Sequence, residues 1–170
     1  MPDSDLYVGL AGVAVVFAGF SGVSVVLTGR QPEQWRPIDA GRVSMMISLS
    51  IATAFFSLLP LVVARLVTSS ESMWQVCSAL FLVFAVAAPI RGFLRIRSIY
   101  RMPDSDSDAT RNIAFFFAVA LFVAIVLAVN VFDVVPTLSE GLYLLALVCY
   151  LGLSARMFYR TLTVLRTPGE

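Results

Sequence analysis

From Ala114 to Val129 the chain reads AFFFAVALFVAIVLAV, sixteen residues without one polar side chain. Extended to Ile113 on one side and Val135 on the other, the run passes the roughly 20 residues a helix needs to cross a bilayer. A barrel strand would alternate apolar and polar residues over about ten positions. This run is apolar on every side, so its backbone must satisfy its own hydrogen bonds, and a helix is the only single segment that does so in lipid. Four further runs have the same character: Leu6 to Leu27, Val43 to Val67, Met73 to Phe93 and Gly141 to Tyr159. Pro60, Arg65, Pro89 and Arg156 interrupt them without dividing them. The expectation is an all-α integral membrane helical bundle of five transmembrane helices, forming a single transmembrane domain over residues 1–170.

Composition agrees with that reading. Hydrophobic residues make up 59% of the chain and charged residues 14%, whereas soluble domains carry roughly 25% charged residues. The start, Met1-Pro2-Asp3-Ser4-Asp5, is acidic. A cleaved signal peptide needs a basic n-region there, so the first run is expected to stay as a span.

Orientation follows from the arginines, which account for all twelve basic residues. Cytoplasmic loops accumulate positive charge. Arg30, Arg36 and Arg42 follow the first run, Arg91, Arg95, Arg97, Arg101 and Arg111 follow the third, and Arg156, Arg160 and Arg166 close the fifth. Eleven arginines thus fall on one side and Arg65 alone on the other. Five crossings produce this asymmetry; four would put the C-terminal group on the wrong side. The N-terminus is expected outside and the C-terminus in the cytoplasm of a bacterial inner membrane.

The segment from Arg91 to Arg101 places arginines among Phe93, Leu94, Ile96, Ile99 and Tyr100. It reads as an amphipathic extension of the third helix on the anionic inner leaflet, and Trp35 reads as a headgroup anchor. Lipid is the expected partner of these arginines; membrane topology accounts for them without nucleic acid.

Chemistry-bearing constellations are scarce. Histidine is absent, which removes the commonest general base and metal ligand. Asp104, Asp106 and Asp108 open like a calcium loop, but its required Gly and Glu positions hold Ala109 and Phe115. A turn capping the fourth helix through Asp108 or Thr110 is the better reading. Cys77 and Cys149 lie inside apolar runs and read as small apolar residues. No catalytic, cofactor-binding or metal site is expected, and no enzyme.

Three polar or small-residue faces remain. Ala11, Ala14, Ala18, Ser21 and Gly22 form a face on which another helix packs closely. Ser50, Thr53 and Ser57 fall within an arc of about 60° on the second helix. They either line an aqueous path or bond to neighbouring helices. A channel requires them to face water; a packed bundle requires them to face protein. Near the outer ends, Arg65 is expected to pair with Asp133, which shares a face with Asn130, or failing that with Glu140 or Glu71, or else to reach for the headgroups.

The stretches Ala18-Gly19-Phe20-Ser21-Gly22-Val23, Ser57-Leu58-Leu59-Pro60 and Gly141-Leu142-Tyr143-Leu144-Leu145, with Gly29-Arg30, Trp35, Arg42 and Asn130, resemble a family of small bacterial polytopic inner-membrane proteins. The resemblance covers most of the chain and implies a bacterial origin, with no known activity. Two functions are compatible with the residues. One is a non-enzymatic homo-oligomer forming a channel or permeation module. The other is a structural or sensing subunit that docks a partner protein or lipid through its arginine-rich cytoplasmic segments.

Overall fold

Apolar side chains on every face leave the backbone to satisfy itself, and the chain folds accordingly into helices. The computed structural model describes residues 3–27, 37–67, 69–99 and 107–166. Among these are five α-helices: α1 (Ser4–Leu27), α2 (Pro37–Val63), α3 (Ser70–Ile99), α4 (Ser107–Val131) and α5 (Ser139–Arg166). A 3-10 turn, Pro136–Leu138, leads into α5, and no strand occurs among the described residues. Four stretches are long and apolar enough to cross a membrane: Val43–Val63, Ser70–Gly92, Ala114–Val131 and Pro136–Arg160. In α1 the corresponding apolar stretch with described side chains, Ser4–Phe20, is shorter.

Local chemistry sets the helix ends. Asp3 caps α1, its carboxylate accepting from the backbone N–H groups of Asp5 and Leu6 at 3.2 and 3.4 Å. Ser69 caps α3 by accepting from the Ser72 N–H at 3.1 Å. The cap expected of Asp108 or Thr110 on α4 is not made by either, since α4 begins at Ser107 and holds both inside its first turns.

Two helices stop earlier than their apolar runs. α2 ends at Val63 rather than Val67, in a tightened turn where Arg65 and Leu66 donate to the carbonyls of Val62 and Val63. α4 ends at Val131 rather than Val135. There the Val134 N–H reaches back to Val129 O and the Asp133 N–H to Asn130 O, both at 3.2 Å. That pair of bonds is a Schellman cap, and it demands a left-handed residue, which is Asp133 at φ 53°. Conversely, α3 and α5 run past their apolar runs to Ile99 and Arg166. Hydropathy marks where a helix meets lipid; caps mark where it stops.

Asp133 is the only non-glycine residue at positive φ among the described residues. Asp tolerates that region, whereas a β-branched side chain clashes there. Asp133→Val is expected to lower thermal stability in detergent by about 1–2 kcal/mol, while Asp133→Gly leaves it unchanged or higher.

The chain divides into two compact units, one within Val62–Cys149 and the other within Pro2–Leu61 and Tyr150–Glu170. In the first, α3 packs along α4. Its core takes Met73, Cys77, Phe81 and Ala85 from one stripe of α3, and Phe116, Ala120, Val123, Leu127 and Asn130 from one stripe of α4. Both stripes advance by three or four residues, so each helix buries a single face. Tyr143 and Leu147 are wholly buried on the first turns of α5. Trp74 and Phe81 flank Tyr143 with ring centroids 5.7 and 5.8 Å away.

In the second unit, α1 buries Tyr7, Ala11 and Ala14. α2 buries Val43, Met46, Leu49, Ser50, Thr53, Phe56 and Ser57, and α5 buries Tyr150, Leu153 and Ser154. Pro60 sits three residues before the end of α2 and is itself buried. Lacking an N–H, it leaves the Phe56 carbonyl without its helical donor.

Candidate functional site

The buried polar residues gather at two places. In the unit within Pro2–Leu61 and Tyr150–Glu170, Ser50 and Ser154 bring their hydroxyls to 2.5 Å, joining α2 to α5. The Ser154 hydroxyl also lies 3.5 Å from the Met46 carbonyl, too far to add much. Thr53 turns inward on its own helix and donates to Leu49 O at 2.8 Å. One turn later, the Ser57 hydroxyl is buried with no hydrogen-bond partner among the described residues. All three α2 hydroxyls have zero exposure. They face packed helices.

The second place lies in the unit within Val62–Cys149. Asn130, near the end of α4, donates through Nδ2 to Ser78 Oγ at 2.7 Å and to Ser139 O at 2.9 Å. One amide thus ties α4 to α3 and to the first residue of α5. Ser139 in turn donates its hydroxyl to Pro136 O at 3.0 Å, holding the 3-10 turn against the helix start. Flipping the amide would set its oxygen against the Ser139 carbonyl, so the observed orientation is the favoured one. Oδ1 is then left buried, without a partner among the described residues.

The ion pair expected of Arg65 is not made. Arg65 is exposed in the turn beyond α2, and no ion pair joins it to Asp133, Glu71 or Glu140 among the described residues. The early end of α2 explains this: the turn carries Arg65 out of the helical register that would place it beside α4. Asn130, expected to accompany the pair, instead points into the bundle.

The small-residue face of α1 divides along its length. Ala11 and Ala14 are buried inside the chain, Ala18 is half-buried and Gly22 is exposed; the Ser21 side chain lies outside the described residues. Toward that end Phe17 and Phe20 meet Phe158 of α5, with centroids 5.9 and 6.3 Å apart. Aromatic rings make the contact there, and Gly22, left exposed, is not part of the packed face. A Cβ added at Gly19 or Gly22 would touch nothing within 4 Å.

Arg91 is exposed on α3. The side chains of Arg95 and Arg97, and Arg101 altogether, lie outside the described residues, although α3 continues through Ile99. Both cysteines are free, Cys77 buried and Cys149 half-buried. No cluster of metal-ligating side chains occurs among the described residues.

Sequence reading missed Ser78, Ser139 and Ser154. Ser154 lies one turn beyond buried Tyr150, at the spacing that repeats a helix face, and a polar residue on such a face is the available signal. Ser78 and Ser139 gave none, since a serine inside or beside a span satisfies its own helix equally well. No protein family, curated protein or solved structure matches this chain.

Proposed function

We propose that the protein is a non-enzymatic structural subunit of a bacterial inner membrane. In this reading it has five crossings, an outer N-terminus and a cytoplasmic C-terminus, and its arginine-rich cytoplasmic side docks the anionic leaflet or an acidic partner. The observation that carries the reading is the complete burial of Ser50, Thr53 and Ser57. An aqueous path through the chain along this face needs those hydroxyls wet; here they meet Ser154, Leu49 and packed side chains. The burial of Ala11 and Ala14 within one chain likewise supports a packed bundle over a path between subunits along this face. Topology rests on the eleven-to-one arginine distribution, and α1 supplies the fifth crossing. Bacterial origin rests on the resemblance of the AGFSGV stretch and its companions.

Ser57→Cys in a Cys77→Ala, Cys149→Ala background tests the reading with a charged, membrane-impermeant thiol reagent applied from either side. The expected result is no modification in intact membranes and full modification after denaturation. Modification in the folded protein would reinstate the channel.

A further inference from the structure

We draw no further inference here: the strongest candidate, the open face of α1 on which Gly12 and Gly19 lie with Val16 and Val23, is an unpartnered stripe of small and apolar residues, and nothing in the structure shows what covers it.

Discussion

Tyr143→Ala is expected to destabilise the protein more than any other single truncation in the Val62–Cys149 unit, by roughly 2–4 kcal/mol. Tyr143 has zero exposure, and its ring is held between Trp74 and Phe81 at 5.7 and 5.8 Å. In a soluble core, removing such a ring costs about 3–5 kcal/mol, part of it lost transfer from water. In a bilayer that part shrinks, because lipid is as apolar as the protein interior. What remains is the cavity and the forfeited contacts among three aromatic groups, each such pair worth about 0.5–1.5 kcal/mol. Tyr143→Phe keeps the ring and should cost less than about 1 kcal/mol. Thermal unfolding in one detergent, followed for both variants, checks the pair. Equal losses would mean that the hydroxyl, and not the ring packing, holds the α3–α5 contact.

How much of this was legible beforehand differs by level. The helices were, because runs such as Ala114 to Val129 leave the backbone no alternative. Their inward faces were not, and α1 explains why. Val8, Val15 and Val16 are exposed, while Tyr7, Ala11 and Ala14 are buried. In a soluble helix the apolar side faces in; here both sides are apolar, and hydropathy is silent about which one packs. Only the small and polar residues mark the interior. Ser50, Thr53, Ser57, Ala11 and Ala14 were picked out on that basis.

The signal fails where a small or polar residue has a local reason to be there. Gly22 looks like Ala14 in sequence but is exposed, beyond the point where Phe17 and Phe20 meet Phe158. Arg65 and Asp133 looked complementary because both were counted as helical. Each instead lies past a helix end that a backbone cap fixes: the tightened turn after Val63 and the left-handed Asp133. Each residue by which the chain leaves the helical path redirects the following side chains by about 100°, and no pattern of charges survives that.

Asn130 offers the sharpest test of the buried polar junction, because two isosteric changes there should behave in opposite ways. Asn130→Leu removes the bonds to Ser78 Oγ and Ser139 O, and interhelical bonds of this kind average about 0.6 kcal/mol each within membranes. It also removes Oδ1, which is buried and without a partner among the described residues; leaving such an acceptor unsatisfied costs about 1–3 kcal/mol. The two effects offset each other, so this variant should lie within about 1 kcal/mol of the parent protein. Asn130→Asp has the same shape but exchanges the donating nitrogen for an oxygen that faces the Ser139 carbonyl. At neutral pH it sets a negative charge at a position 2% exposed, where an unpaired buried charge costs about 3 kcal/mol or more. A loss of about 3 kcal/mol or more is therefore expected, shrinking in acid as protonation returns a donor to that oxygen. If the aspartate variant is as stable as the leucine variant at neutral pH, water reaches the junction, and Asn130 belongs to a hydrated surface rather than to the clamp that binds α3, α4 and α5.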